Sequence, residues 1–177
     1  MPGSAAPRFL NCAHSVTVEA TLPDQGAEGV LMAMGGNDGG FAFYVQNGTL
    51  TYGYNYVADQ HFKVESTVPL PKGHHLISFE FEPTGKAEPL KGKGTPATIT
   101  LFVDGKEVGR GDLPVTIPNQ LGLGAAVTIG ADPGSPTMPD YQPPFAFTGA
   151  IKRALVDITG THIEDAEAKM RVYLARQ

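Results

Sequence analysis

Phe41-Ala42-Phe43-Tyr44-Val45-Gln46-Asn47-Gly48-Thr49-Leu50-Thr51-Tyr52-Gly53-Tyr54-Asn55-Tyr56-Val57 decides the fold class. Two β-rich segments flank Asn47-Gly48, a pair suited to a type I′ turn because both central positions need positive φ. A two-residue turn sets the register: Val45 faces Leu50, Phe43 faces Tyr52 and Phe41 faces Tyr54. All six share one face and Tyr56 continues it. Tyr44, Thr51, Gly53 and Asn55 lie on the other. Core packing is therefore the reading for Tyr52 and Tyr54, and Tyr44 and Asn55 become the surface candidates.

Outward from this hairpin the same period recurs. Val16, Val18, Ala20 and Leu22 alternate with Ser15, Thr17, Glu19 and Thr21. Ile77, Phe79 and Phe81 alternate with Ser78, Glu80 and Glu82. Both read as half-buried strands. Val30 to Met34 is a short apolar strand closed by Gly35-Gly36. Thr98–Val103 and Lys106–Arg110 form a second hairpin around Asp104-Gly105. Val127–Gly130 is short and apolar, and Phe145–Ile158 carries a final strand or a bulged pair. Residues 82–97 form a long loop with Lys86, Lys91 and Lys93, expected to be mobile. Residues 131–144 hold five prolines and must be irregular.

The end changes character. From Ile163 to Arg176 there is no Gly or Pro, and Ile163, Ala166, Met170 and Tyr173 or Leu174 recur at helical spacing. Thr161 suits the N-cap, and Glu164, Asp165 and Glu167 suit the first turn. The expected organisation is a disordered leader over 1–8, a β-sandwich over 9–160 and a C-terminal helix over 161–177 packed on it. Many short strands, two tight hairpins and long Gly/Pro loops predict an all-β, two-sheet antiparallel sandwich of jelly-roll type.

Composition excludes several function classes. The chain has 177 residues with a net charge of -5, against the basic face of a general nucleic-acid binder. No apolar run nears the roughly 18 residues of a membrane span. Residues 1–7 have no basic or apolar signal-peptide region. With Met1 as the natural start, a cytoplasmic location is expected. The single cysteine, Cys12, rules out an internal disulfide.

No catalytic constellation emerges. There is no G-x-S-x-G elbow. Cys12 near His14 reads as a buried, inert thiol, because His14 has the inward parity of Val16 and Val18. Glu80 and Glu82 face one side without a partner across a cleft, so a solvated sheet face explains them better than glycosidase chemistry. His74 and His75 face opposite ways on a strand and cannot share an ion. His75 has the inner parity and reads as a buried hydrogen-bonded histidine; His61 and His162 stand alone. Asp132 and Asp140 share one irregular loop, and Asn37 with Asp38 another. Both are candidate Ca²⁺ ligands, set against plain turn chemistry. Ca²⁺ is the one cofactor considered. The Gly-rich segments 35–40 and 121–124 open no helix and are not phosphate loops.

An ordered series of stretches carries a resemblance. It runs from His14-Ser15-Val16-Thr17 through Gly26-Ala27-Glu28-Gly29-Val30, Gly35-Gly36, Gly39-Gly40-Phe41, Tyr44-Val45 and Tyr54-Asn55-Tyr56. It continues with Leu70-Pro71-Lys72-Gly73-His74, Phe79-Glu80-Phe81, Leu101-Phe102-Val103-Asp104-Gly105-Lys106 and Gly130-Ala131-Asp132-Pro133-Gly134-Ser135-Pro136. Asp140-Tyr141, Pro144 to Ile151 and the tail from Asp165 to Gln177 complete it. In this order they resemble the C-terminal region of long bacterial arylsulfatases.

The resemblance implies a concanavalin A-like (laminin G-like) sandwich that follows an α/β catalytic domain. The family's C-x-P-x-R or S-x-P-x-R motif is absent, since Cys12 is followed by Ala13-His14 and Ser135 by Pro136-Thr137. No catalytic residue carries over. Phe41 stands where the family often has Trp.

The expected function is then a non-catalytic accessory domain packing on a sulfatase catalytic domain, in cis or in trans, and shaping its active-site rim. Segments 55–62 and 131–144 are expected to reach the partner, through Asn55, His61 and Tyr141, with Tyr44 a further partner or ligand surface residue. The alternative is an independent glycan- or Ca²⁺-dependent binding module. A hydrolase in its own right is a second alternative, against which the missing motifs count.

Overall fold

A computed structural model describes residues 9–118 and 126–158. The expected leader at 1–8 and helix at 161–177 lie outside the described residues. Ten strands follow in chain order: β1 (His14–Leu22), β2 (Gly29–Gly36), β3 (Gly39–Gln46), β4 (Thr49–Tyr56) and β5 (Gln60–Glu65), then β6 (Gly73–Pro83), β7 (Ala97–Val103), β8 (Lys106–Leu113), β9 (Val127–Ile129) and β10 (Ala150–Asp157). They form two five-stranded antiparallel sheets, β10-β1-β6-β7-β8 and β5-β4-β3-β2-β9. The sandwich expected from the period-two pattern is the architecture found.

The central hairpin has the register its turn dictates, with Val45 opposite Leu50, Phe43 opposite Tyr52 and Phe41 opposite Tyr54. These six face Val16, Val18, Ile77, Phe79 and Leu101 of the other sheet in one core. Phe79 is its hub, with ring centroids 4.8 Å from Tyr52, 5.1 Å from Phe43 and 5.8 Å from Phe41. The interplanar angles of 60° to 73° let ring edges meet ring faces, the favoured geometry for such pairs.

Three features depart from simple alternation. A bulge between Val30 and Met32 turns Leu31 and Met32 both inward and leaves Val30 and Ala33 on the outer face. A second irregularity, between Glu19 and Ala20, makes Lys152 the extra residue opposite them. Lys152 and Arg153 then both reach the buried Glu19 carboxylate, at 2.8 and 2.9 Å, with His74 2.9 Å away. Lys152, followed by His74 and Arg153, draws that carboxyl below its ordinary pKa against the opposing effect of burial. Third, β5 occupies residues that the sequence reading left outside any strand. Its signal is Phe62 and Val64 alternating with His61, Lys63 and Glu65, a run too short to stand out.

The loop after β6 is shorter than expected, since pairing with β7 runs to Pro83 and Ala97. It is also tied down. Gly94 N–H donates to the Thr116 carbonyl at 2.7 Å, Thr95 N–H to Asn11 Oδ1 at 2.9 Å and Tyr56 Oη to the Gly92 carbonyl at 2.8 Å.

His14 is buried as its parity predicts. It stacks on Phe81 at 4.6 Å and meets Phe9 edge-on at 5.0 Å. Nδ1 donates to the Cys12 carbonyl at 3.0 Å, while Nε2 is buried without a partner. Burial holds this imidazole down at about 4, the Cys12 bond opposing weakly. In the unfolded chain it titrates near its ordinary value of about 6.5. Between those values the unfolded state binds the extra proton, so stability falls as pH drops. The His14 contribution is complete above about pH 6.5 and is lost towards pH 4. Wild type should lose about 2 kcal/mol more than His14→Phe between pH 7.5 and 5 in urea unfolding. Identical pH profiles for the two proteins would refute this account.

Candidate functional site

The outer face of the β5-β4-β3-β2-β9 sheet is covered by the chain's own loop. Its floor is small: Ala33, Ala42 and Gly53, with Val30 and Tyr44 beside them. Residues 131–147 cross this floor as a strap. Met138, fully buried, rests on Gly53, where a Cβ would lie 2.6 Å from Met138 Cγ. Tyr141 meets Tyr44 edge-on at 5.3 Å and stacks on Phe145 at 5.0 Å. The result is a second core on the far side of the sheet.

Main-chain bonds fix the strap's ends. Val30 N–H donates to the Phe145 carbonyl at 3.0 Å, Asp132 N–H to Pro144 at 2.9 Å and Phe147 N–H to Gly130 at 2.8 Å. The Pro143–Pro144 peptide is cis. Two carboxylates pin the middle. Asp132 Oδ2 accepts from Thr137 N–H at 3.0 Å, from Thr137 Oγ1 at 3.2 Å and from the Tyr141 hydroxyl. Asp140 Oδ2 accepts from Tyr44 Oη at 2.8 Å and from Lys63 Nζ, and Gln46 Nε2 donates to the Asp140 carbonyl at 2.8 Å. Burial first, and then the neighbouring aspartate, push the hydroxyls of both Tyr44 and Tyr141 well above the ordinary range. Both phenols therefore act as donors, not as proton-transfer groups.

Tyr44, Asn55, His61, Asp132, Asp140 and Tyr141 all belong to this side of the molecule, but most are not surface groups. Tyr44 is 0% exposed, Asn55 1% and Tyr141 3%, so the expectation that these three form a partner or ligand surface is corrected. The strap buries the two tyrosines. Asn55 clamps two turns, donating to Gly36 and Asn37 carbonyls at 3.1 and 3.2 Å and accepting Ala58 N–H at 2.8 Å. His61 is exposed, opposite Asn55 on β5. Segment 55–62 is mostly strand, with only 57–59 in the turn.

Asp132 and Asp140, the candidate Ca²⁺ ligands, bond to different partners. Each carboxylate is engaged by different donors, and Lys63 already neutralises Asp140. Among the described residues no three His, Cys, Asp or Glu side chains converge on a metal position. His74 and His75 do face opposite ways: His74 meets Glu19, and His75, hydrogen-bonded as expected but half-buried rather than buried, lies between Asp104 at 2.6 Å and the Lys72 carbonyl at 2.8 Å.

What remains open is a polar shelf. His61, Lys63 and Glu65 occupy the outer side of β5, opposite Asn55, Gly53 and Thr51, with the strap rising beside them at Asp140. An imidazole, an ammonium and a carboxylate there can exchange hydrogen bonds with a hydroxyl-rich ligand. Lys63, Met138 and Phe145 were not singled out from the sequence. The contacts that matter join Tyr44 and Lys63 to Asp140, 96 and 77 residues away, and no local pattern encodes them.

With this geometry in hand, comparison with known proteins is informative about fold. No protein-family model matches the sequence, and no curated protein matches it. The resemblance to arylsulfatases accordingly has no counterpart there. Solved structures do match. The CBM40 of the Ruminococcus gnavus IT-sialidase, bound to α2,3 sialyllactose, is 14% identical with a TM-score of 0.59, covering 88% of this chain and 80% of that one. A second structure of the same module is 16% identical with a TM-score of 0.56, covering 92% of this chain and 83% of that one. The NanB sialidase of Streptococcus pneumoniae is 14% identical with a TM-score of 0.58, covering 89% of this chain and 23% of that one. At these identities the likeness is one of fold: a CBM40-like, concanavalin-type β-sandwich.

If Asp132 holds the strap, Asp132→Ala should strand its buried donors and cost at least about 2 kcal/mol. Chymotrypsin should then cut after Tyr141 in the folded variant while wild type resists. Equal resistance would show that apolar packing alone holds the strap.

Proposed function

We propose that this chain is a non-catalytic carbohydrate-binding module, with a glycan lying along β5 against the strap. The observation that carries the reading is the likeness in fold, over nearly the whole chain, to CBM40 modules, one of them bound to sialyllactose. The shelf of His61, Lys63 and Glu65 supports it, because these side chains share one side of β5, with His61 and Glu65 in solvent and Lys63 between them bonded to Asp140. The chain has no tryptophan, so hydrogen bonds rather than a large stacking platform would carry recognition. A glycan array probed with the full chain should give at least one class of ligand. His61→Ala and Glu65→Ala should each weaken it by about tenfold, roughly 1.4 kcal/mol, without a change in Tm. Failure to bind any glycan, or binding indifferent to both changes, would overturn the proposal.

A second reading rests on the ordered series of residues that resembles the C-terminal region of arylsulfatases: an accessory domain packed on a sulfatase catalytic domain. Immunoprecipitation from the source organism tests it. C-x-P-x-R or S-x-P-x-R peptides, in the same polypeptide or in a co-purifying partner, would favour this reading. Their absence would leave the binding module.

A further inference from the structure

Three hairpin turns each hold two successive residues in the left-handed region. Two use residues suited to it: Asn47-Gly48, at φ 51° and 74°, and Asp104-Gly105, at 51° and 78°. The third uses Val57-Ala58, at φ 47° and 60°. A β-branched residue there is strained, because its Cβ crowds the backbone. Val57 also gains little burial in return, since it is 50% exposed.

The adjoining loop shows a second apolar side chain. Leu90 is 104% exposed. It is held at the apex of a 3-10 turn, Pro89–Lys91, closed by Gly92 N–H on the Pro89 carbonyl at 3.0 Å. Reciprocal bonds between Glu88 and Lys93, at 2.8 and 3.2 Å, close the turn's base. The Tyr56 hydroxyl bond to Gly92 ties this loop to the turn carrying Val57. Both side chains are thus presented on pinned backbone at one end of the sandwich. Residues 84–96 carry Lys86, Lys91 and Lys93 against one acid, Glu88, within a chain of net charge -5. Lys91 engages Glu88 at 2.7 Å, and Asp59, beside Val57, takes the Gln60 amide at 3.3 Å.

We propose that Val57 and Leu90 form the apolar tip of a docking surface for an acidic protein segment bearing apolar side chains. The lysines supply the charge that such a segment complements, and the pinned turn leaves little ordering to be done on binding. Lipid is the weaker occupant, because headgroup-binding clusters usually hold about 4–8 cations and this tip has three lysines, one of them paired. Val57 lies in the turn that leads into β5, so Leu90, on the other loop, is the position whose change tests this surface independently of glycan binding.

The probe is a library of phage-displayed random peptides panned against the full chain. Selected peptides should combine Asp or Glu with aliphatic or aromatic residues and should release as salt is raised. Leu90→Glu should weaken them about tenfold or more while leaving Tm and glycan binding as they are. Val57→Asn combined with Ala58→Gly should also weaken them and raise Tm by about 2 °C, since it relaxes the turn. Recovery of no such peptide, affinity indifferent to Leu90→Glu, or Leu90-dependent binding only to phosphatidylserine vesicles would each overturn the proposal.

Discussion

The sandwich depends on Phe79. It stands on the second sheet's partner layer, at the middle of β6, and meets Phe41, Phe43 and Tyr52 from the opposite hairpin. Aligned sheets pack about 10 Å apart, and rings interlocked edge to face span that gap. The same packing closes around His14, which explains why an imidazole there is held neutral. Fold geometry and pH response therefore share one origin.

The outer face of the hairpin sheet is shaped by a different constraint. A sheet whose outer floor is Ala33, Ala42 and Gly53 leaves a shallow trough, and the strap fills it with Met138 and Tyr141. Filling that trough places polar anchors between apolar layers, and Asp132 and Asp140 satisfy the hydroxyls buried with them. Carboxylates that look like ion ligands in a Pro-rich loop become the strap's fasteners. On the flank beside the strap, β5 carries His61 and Glu65 in solvent and Lys63 bonded to Asp140.

Legibility followed the range of the interactions. The Asn47-Gly48 hairpin, the inward parity of Val16 to Leu22 and of Ile77 to Phe81, and the burial of His14 all rest on neighbours within one strand or one turn. β5 escaped notice because only Phe62 and Val64 mark it and a Val-Ala turn precedes it instead of Asn-Gly. Tyr44 and Asn55 lie on the outer face that their parity assigns and yet are buried there, and Tyr141, from the irregular loop, helps to cover Tyr44. Parity tells which side of a sheet a residue takes, not what lies on top of it.

The sequence by itself determined an all-β sandwich, its central hairpin register and a core built from alternating apolar residues, because strand period and turn chemistry act locally. Only the tertiary structure decided that the strap folds back over Gly53, that Asp140 joins Tyr44 and Lys63, and that Tyr56 ties the loop of Leu90 to the turn of Val57. Those contacts span tens of residues. They arise from shape and desolvation once the sheets have formed, and no sequence period records them.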